Sequence, residues 1–238
     1  MVKILLSKKG IIKINRKGDI NTQYGIIKRK DIAKARINDV VTTHKGEKIL
    51  VTSPSYEDFI EIMKRGPQII TLKDIGEIIV FANINKKSRV LEIGTGAGTV
   101  GIIISQIAKE VISYDIRSDF LDLARENAKI FNAKNIKFKQ GSIKEEKESF
   151  DSVIIDIPNP EEVIEKSFEV LKKGGYLVTY LPSISQIFNL ISKYKFENYK
   201  VMQINKIDWI IDTERNIERP ENMQLYHTGF LLFSRKIF

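Results

Sequence analysis

The sequence contains no cysteine among its 238 residues, and this absence removes several classes of chemistry. Disulfide bonds, thiolate nucleophiles and cysteine-ligated zinc or iron–sulfur centres are all excluded. No apolar run approaches the roughly 20 residues that span a bilayer. The apolar stretch of "MVKILLSKKG" at the start is too short for a secretory signal. We therefore expect a soluble protein of the cytoplasm that carries no metal.

Negative charge is also scarce relative to positive charge. The chain has 39 Lys and Arg against 30 Asp and Glu, a formal net charge of +9. Residues 1–64 hold 14 of the basic and 7 of the acidic residues, so +7 of the excess lies in the first quarter. Two interpretations stay open at this point. The lysines are either an ordinary solvated surface, as in many heat-adapted proteins, or part of a module that binds a polyanion such as nucleic acid.

The first part of the chain has the pattern of a small antiparallel β domain. Short strand-like runs such as "GIIKIN", "DVVTT" and "KILVT" are separated by glycine-containing turns such as "RKGD" and "HKGE". After them, "SPSYEDFIEIMKR" has helical periodicity, with Ser55 as the predicted N-cap. We therefore place a β domain at residues 1–54 and a second domain at 55–238, in which 55–88 are linker helices.

The second domain alternates between apolar strands and helices. Five strands are predicted, in "RVLEI", "EVISYD", "NIKFKQ", "SVIIDI" and "GYLVTYL". The intervening helices include "SDFLDLARENAKIFN" and "NPEEVIEKSFEVLKK", the second ending at Gly174-Gly175. Two tail segments, "KVMQINKIDWII" and "HTGFLLFSRK", add an antiparallel pair. The pattern predicts an α/β fold with a doubly wound, mostly parallel seven-stranded Rossmann-like sheet.

A glycine-rich turn follows the first of these strands. In "VLEIGTGAGTVG", residues Gly94, Gly96 and Gly98 let the backbone approach a ligand closely, and the next helix presents unpaired N–H groups. Asp115 ends the second strand about twenty residues later, where a carboxylate typically accepts hydrogen bonds from ribose hydroxyls. Loop and acid together predict a ribose-bearing cofactor without identifying it.

Proline is rare in the chain, and two of the 6 prolines lie within residues 156–160. In "FDSVIIDIPNP" a buried strand ends on Asp156, which is followed by Pro158 and Pro160. The prolines restrict the turn and hold the acid at the carboxyl end of the strand. An N-cap or turn acid is the simpler interpretation of Asp156 taken alone.

Longer motifs identify a family. "LEIGTGAG" resembles motif I of the S-adenosylmethionine-dependent methyltransferases. "KRGPQIITLKD", "DIPNP" and "RPENMQLYHTGFLLFSRK", in that order, resemble the tRNA (adenine-N1)-methyltransferases of the TrmI-like family. The resemblance covers essentially the entire chain. It implies S-adenosylmethionine as cofactor, tRNA as partner, a homotetramer, and methylation of N1 of adenine at tRNA position 58, with position 57 also used in some archaeal members.

The resemblance also assigns residues. Asp156 would accept a hydrogen bond from the N6 amino group of adenine, stabilise the charge that forms at N1, and take the N6 proton. Glu92 and the glycine loop would hold the methionine end, and Asp115 the ribose. Arg215 and Arg219 are expected to contact RNA phosphates. The full predicted cofactor set is Gln68, Glu92, Gly94, Thr95, Gly96, Ala97, Gly98, Thr99, Asp115, Ile116, Gly141, Ser142, Ile143 and Asp156.

Two positions depart from the family pattern. Ser142 lies where the family usually has Asp against the cofactor adenine, and Thr71 lies where an aromatic residue or His is common. These changes put cofactor affinity and base positioning in question. Two alternatives therefore remain: a non-catalytic tRNA-binding subunit, and a methyltransferase of the same fold with a protein or small-molecule acceptor. The joint presence of the glycine loop, Asp115 and Asp156 favours the tRNA enzyme.

Overall fold

The computed structural model describes residues 2–14, 18–194, 196, 198–222 and 227–238, which form two compact units. The first unit is Met1–Arg65 with Glu126–Ala133, and the second is Gly66–Arg125 with Lys134–Phe238. The division therefore groups residues 55–65 with the N-terminal strands. Among the described residues, no helix has the length and apolarity that crossing a bilayer requires.

The first unit is built on antiparallel strands. A four-stranded sheet has the order β2-β1-β6-β5, and β3 and β4 form a separate hairpin. Apolar side chains from the strands make a common core that includes Leu5, Ile27 and Val51. The elements are β1 (Ile4–Ser7), β2 (Gly10–Ile12), β3 (Ile20–Thr22), β4 (Gly25–Ile27), α1 (Arg29–Lys34), β5 (Val40–Thr42), β6 (Lys48–Thr52) and α2 (Tyr56–Ile62).

Helix α2 begins where the sequence predicts it. The side chain of Ser55 accepts a hydrogen bond from the Asp58 N–H, and the Asp58 carboxylate accepts one from the Ser55 N–H, which completes a capping box. Phe59 is fully buried and packs edge-on against Phe131, with ring centroids 4.7 Å apart. Helix α1 was not predicted from the sequence.

The second unit contains the predicted seven-stranded sheet, in the order β12-β15-β11-β10-β7-β8-β9. Strands β7 to β11 are parallel, and β15 runs antiparallel to both β11 and β12. The strands of this sheet are β7 (Arg89–Ile93), β8 (Glu110–Asp115), β9 (Ile136–Gln140), β10 (Phe150–Ile155), β11 (Leu171–Leu181), β12 (Tyr199–Met202) and β15 (Phe230–Arg235), while β13 (Trp209–Asp212) and β14 (Ile217–Pro220) form a separate hairpin. The helices are α3 (Leu72–Phe81), α4 (Thr99–Ser105), α5 (Ser118–Phe131), α6 (Ile164–Val170) and α7 (Ile184–Tyr194), with short 3-10 turns at Ile143–Glu145 and Pro160–Glu162. The last part of α5, from Glu126, is grouped with the first unit.

The strand order sets the place where a ligand can bind. The chain moves from β7 outward through β8 to β9, then crosses back to add β10 on the other side of β7. Ligands of open α/β sheets bind at such a reversal, in the crevice at the carboxyl ends of the strands. The glycine loop follows β7 and Asp156 follows β10, so both lie at this reversal.

Two predicted boundaries were wrong. Helix α6 ends at Val170 and not at Gly174, because residues 171–175 join β11. The N–H of Gly174 donates to the Lys236 carbonyl at 2.7 Å, and the Lys236 N–H donates to the Gly175 carbonyl at 3.0 Å. The segment "KVMQINKIDWII" is likewise not one strand, since β12 ends at Met202 and Trp209 begins the separate hairpin β13–β14.

Candidate functional site

The glycine loop is shaped by backbone conformations that side chains rarely adopt. Gly94, Gly96 and Gly98 have φ angles of 99°, 50° and 85°. A Cβ atom on Gly94 would lie 2.0 Å from the carbonyl oxygen of Asp156, so this position needs glycine for space as well as for its φ angle. The close approach brings the loop after β7 against the loop after β10.

Asp115 lies at the end of β8, and its carboxylate is oriented by two backbone groups. Oδ2 accepts a hydrogen bond from the Gly96 N–H at 3.0 Å, and Oδ1 accepts one from the Arg117 N–H at 3.0 Å. Each carboxylate oxygen can accept more than one hydrogen bond, which leaves acceptor capacity for hydroxyl groups of a ligand. The arrangement suits the recognition of a ribose.

Glu92 lies beneath the glycine loop. It is 2% exposed, and its carboxyl accepts a hydrogen bond from the Gly101 N–H at 3.0 Å and contacts the Ser113 hydroxyl at 2.5 Å. The Ser113 hydroxyl in turn contacts that of Thr95 at 2.6 Å. Burial raises the pKa of Glu92 to about 8, because the charged form is desolvated. The carboxyl supports the loop and the start of α4 from inside the protein.

Asp156 follows directly on β10. Its N–H donates to the Ile93 carbonyl at 2.8 Å, which extends the pairing between β10 and β7 by one residue. The residue keeps some accessible surface, yet protein atoms surround most of its carboxyl, and this burial raises its pKa to about 7. Within the described residues its carboxyl has no ion-pair partner. It is therefore an acid poised near neutral pH at the switch point of the sheet.

A cavity of about 600 Å³ joins these elements. Eight of the residues predicted for the site line it, namely Gln68, Gly94, Gly96, Asp115, Ile116, Gly141, Ser142 and Asp156. Five more do not line it and are buried, namely Thr95, Ala97, Gly98, Thr99 and Ile143. Like Glu92, they belong to the layer that holds the lining residues in position. Ile116 is 76% exposed, which leaves an apolar side chain at the cavity for a flat ligand group.

Of the other lining residues, the sequence singled out Pro158, for the turn that holds Asp156, and did not indicate the rest. These are Pro67, Ile93, Tyr114, Arg117, Phe120, Ile157, Asn159, Glu162 and Val163. The Arg117 guanidinium lies 3.7 Å from the ring centre of Phe120 and pairs with Asp119 at 2.7 Å. A cation held over a half-buried ring at the cavity is a tertiary arrangement that no local motif predicts.

A buried ion pair lies in the same unit. The Lys73 ammonium contacts the Asp74 carboxylate at 3.0 Å and donates to the Thr228 hydroxyl at 2.6 Å, and that hydroxyl donates to Asp74 at 2.7 Å. Tyr180 bonds to Thr228, and burial together with the charges of Asp74 and Asp156 raises its pKa to about 12. Lys73 and Asp74 lie in the motif "LKD" and Thr228 lies in "HTG". Only the fold brings the two motifs into contact.

Arg215 and Arg219 lie away from the cavity, at the β13–β14 hairpin. Arg219 is in β14 and donates to the side chain of Asn222 at 2.6 Å. The side chain of Arg215 is 78% exposed and lies 3.7 Å from Asp212. Both guanidinium groups are solvent-accessible. Within the described ranges, no group of three His, Cys, Asp or Glu residues could hold a metal ion.

Comparison with known proteins agrees with this fold. A model of the methyltransferase domain matches residues 84–224. The tRNA (adenine(57)-N(1)/adenine(58)-N(1))-methyltransferase TrmI of Methanocaldococcus jannaschii is 30% identical over 98% of this chain and 94% of its own length. The tRNA (adenine(58)-N(1))-methyltransferase TrmI of Thermus thermophilus is 29% identical over 92% of this chain and 89% of its own.

Two solved structures have the same architecture. The tRNA (m1A58) methyltransferase TrmI from Aquifex aeolicus superposes with a TM-score of 0.83 at 27% identity, covering 100% of this chain and 97% of that one. A SAM-dependent O-methyltransferase from Thermotoga maritima superposes with a TM-score of 0.86 at 23% identity, covering 99% and 92%. The second likeness concerns the fold alone.

Proposed function

Because this chain belongs to the tRNA (adenine-N1)-methyltransferase family, we propose that it transfers a methyl group from S-adenosylmethionine to N1 of an adenine in the T-loop of tRNA. The observation that carries the proposal is the position of Asp156, whose carboxyl lines the same cavity as the glycine loop and Asp115. We propose position 58 as the target, with 57 as a second target, since relatives of both kinds match.

The cavity suits the cofactor on physical grounds. Gly94 and Gly96 leave no side chain where the methionine end would approach the backbone, and Asp115 offers carboxylate oxygens for the ribose. Ile116, Gly141 and Ser142 form the part of the wall beyond Asp115, where the adenine would lie. We propose Gln68 as a further polar contact and Glu92 as a support of the loop instead of a direct ligand. When bound, the cofactor supplies an electrophilic methyl group on a sulfonium.

Asp156 would then act on the target base. Adenine N1 is a weak nucleophile, and its methylation leaves positive charge on the ring. The Asp156 carboxylate accepts a hydrogen bond from the N6 amino group, which orients the base and stabilises the charge as it develops. It then accepts the N6 proton and releases a neutral imino product. A pKa of about 7 makes this carboxyl a competent acceptor near neutral pH.

The backbone around Asp156 fixes the direction of approach. Pro158 and Asn159 line the cavity together with the acid, and Pro160 begins the 3-10 turn that follows. A restricted loop keeps the carboxyl in one position relative to the glycine loop, and correct orientation is a large part of such a barrier. The target adenine lies within the folded T-loop, so the enzyme must extract it from the stack first.

Four finer features belong to the same proposal. The strongly basic N-terminal domain, residues 1–54, would contact the tRNA backbone, and residues 55–238 would carry out catalysis. Arg215 and Arg219 would add phosphate contacts from the hairpin. The enzyme would act in the cytoplasm as a homotetramer. Trp209 and Ile211 are 60% and 65% exposed, and an assembly would cover this apolar surface.

The direct test is transfer of labelled methyl from S-adenosylmethionine to an unmodified tRNA transcript, followed by nucleoside analysis. We expect 1-methyladenosine, and transcripts with the adenine at position 58 or 57 replaced would locate it. Transfer to proteins or small molecules instead of tRNA would identify another acceptor. Tight tRNA binding without transfer would identify a non-catalytic subunit.

A further inference from the structure

A second cavity, of about 460 Å³, lies at the amino ends of the parallel strands, whereas the glycine loop lies at their carboxyl ends. Its walls come from the turn after α3, the first part of β11 and the last residue of β15, with Asp151 of β10 at one side. Asp151 and Asp156 lie near the two ends of β10, five residues apart. The two cavities are therefore separated by roughly 17 Å along the strand.

A bulge in β11 creates one wall of this cavity. Phe150 pairs with Leu171 and Ser152 pairs with Tyr176, so β11 advances five residues while β10 advances two. The extra residues include Lys172 and Lys173, whose side chains are exposed, and bulges commonly redirect side chains in this way. Two hydrogen bonds between this segment and Lys236 hold the bulge, so the lysines project from a braced backbone.

The charge in the cavity is unbalanced. Four cationic residues and one acid line it, a net of +3, namely Lys87, Lys172, Lys173 and Arg235 against Asp151. The Asp151 carboxylate accepts hydrogen bonds from Lys172 Nζ at 2.8 Å and from the Arg89 N–H at 2.8 Å. It is therefore paired with Lys172 and does not balance the other three cations. Within the described part of the chain, Lys87, Lys173 and Arg235 form no ion pair. Like charges in one concave site repel one another, and a bound anion would relieve that repulsion.

The cavity also offers flat apolar surface beside the charges. The rings of Phe81 and Tyr176 lie 5.7 Å apart at an angle of 71°, and the Arg235 guanidinium lies 5.4 Å from the ring centre of Tyr176. Cationic groups interleaved with aromatic rings are a recurrent surface for nucleic-acid backbones and their bases. An inorganic anion would bind to the cationic groups alone and make no use of the aromatic rings.

We propose that this cavity, formed by the β11 bulge, the turn at residues 83–88 and Arg235, binds backbone phosphates of the tRNA outside the segment that enters the catalytic cavity. The inference rests on the proposed function for the identity of the RNA. A second phosphate contact, at the amino ends of the strands, fixes the direction of the RNA relative to Asp156. The residues of this second cavity take no part in the chemistry.

The test uses the full-length variant Lys87→Glu/Lys173→Glu, which changes two exposed ammonium groups that no ion pair holds. We expect tRNA affinity near physiological salt to fall roughly tenfold, and the slope of log Kd against log salt to fall by about 1.4 to 1.8, for two lost phosphate contacts. The Kd of S-adenosylmethionine should stay unchanged, because neither lysine lines the cofactor cavity. Lys129→Glu/Lys134→Glu, also exposed, makes the same change of charge elsewhere and should leave the salt slope intact.

Three results would overturn the inference. Wild-type affinity and slope in the variant would mean that RNA does not enter the cavity. An equal loss in the control variant would mean that only total charge matters. Thermal stabilisation by millimolar inorganic phosphate that the variant loses, with unchanged tRNA affinity, would mean a site for a small anion. Failure of the proposed function is seen separately, as an absence of methyl transfer by the wild-type enzyme.

Discussion

At the scale of single residues, the environment of Asp156 and its proposed role favour different protonation states. Burial raises its pKa to about 7, which favours the protonated acid, whereas the proposed chemistry needs the carboxylate. Its ordinary pKa is 3.8, so the stability that the buried acid contributes is present below about pH 3.8 and is lost as pH rises through 7. Activity should increase over the same interval in which this contribution to stability decreases.

We therefore expect kcat/KM for tRNA to rise with pH on a limb centred near 7, because this parameter reports the pKa of the free enzyme. Asp156→Asn should lower the rate about 10²- to 10⁴-fold and abolish the limb, while the Kd of S-adenosylmethionine changes little.

The matched control is Glu162→Gln, which neutralises another acid of the same cavity and should keep the limb. An Asp156→Asn enzyme that retained either the wild-type rate or the wild-type pH dependence would exclude Asp156 as proton acceptor.

At the scale of elements, the glycine loop and helix α3 offer two glycines with opposite requirements. Gly94 has a φ of 99° and no room for a Cβ, whereas Gly76 lies inside α3 with nothing within 4 Å of a Cβ. Gly94→Ala should lower the free energy of unfolding by about 3 kcal/mol or more through strain and overlap. Gly76→Ala should raise it by about 1 kcal/mol, because alanine is the better helix former.

Urea unfolding of both variants, with the linear extrapolation to water, measures the difference. Gly94→Ala should also lose S-adenosylmethionine binding at temperatures where it is still folded, and Gly76→Ala should retain it. Equal stability of the two variants would mean that the loop after β7 relaxes freely and is not the fixed cradle described here.

The sequence was informative where a local pattern determines a local structure. The period of apolar residues gave the parallel strands, the glycine spacing gave the loop, and Ser55 gave the start of α2. The end of α6 was missed because Gly174-Gly175 is a common helix stop, and only pairing with the distant Lys236 draws this segment into β11. The division of "KVMQINKIDWII" into two strands likewise depends on partners far along the chain.

The same distinction applies to the site. Asp115 and Asp156 could be predicted because each ends an apolar strand, and a parallel sheet brings such ends together. The cavity positions of Arg117, Phe120 and Glu162 could not, since helical and loop side chains reach the site by tertiary packing. Lys73 and Asp74 entered the sequence analysis only as part of the motif "KRGPQIITLKD". Their burial follows from contact with Thr228, which no local pattern encodes.

At the scale of the whole molecule, the distribution of charge is the main determinant of partner binding. The net charge is +9, and +7 of it lies in residues 1–64. Neutralising phosphates with such residues releases counterions, so tRNA affinity should fall steeply as salt rises. Binding of S-adenosylmethionine should depend on salt much less, because it does not neutralise a run of phosphates.

Lys8→Glu/Lys9→Glu, in the turn between β1 and β2, tests the contribution of the N-terminal domain. We expect weaker tRNA binding, with the largest loss at low salt, and an unchanged Kd for S-adenosylmethionine. Titrations of the wild type, this variant and Lys129→Glu/Lys134→Glu at several salt concentrations would measure it. If the variant bound tRNA with wild-type affinity at low salt, the phosphate contacts would be assigned to the second unit.

The buried Lys73–Asp74 pair has a consequence for protein synthesis. Its partner Thr228 is 155 residues further along the chain than Lys73, next to β15, which lies between β11 and β12 in the finished sheet. A ribosome therefore delivers the lysine and the acid long before the hydroxyl that they bind. In a nascent chain both charges stay hydrated until Thr228 and β15 have been synthesised. Formation of this buried network is therefore coupled to the insertion of β15 between β11 and β12.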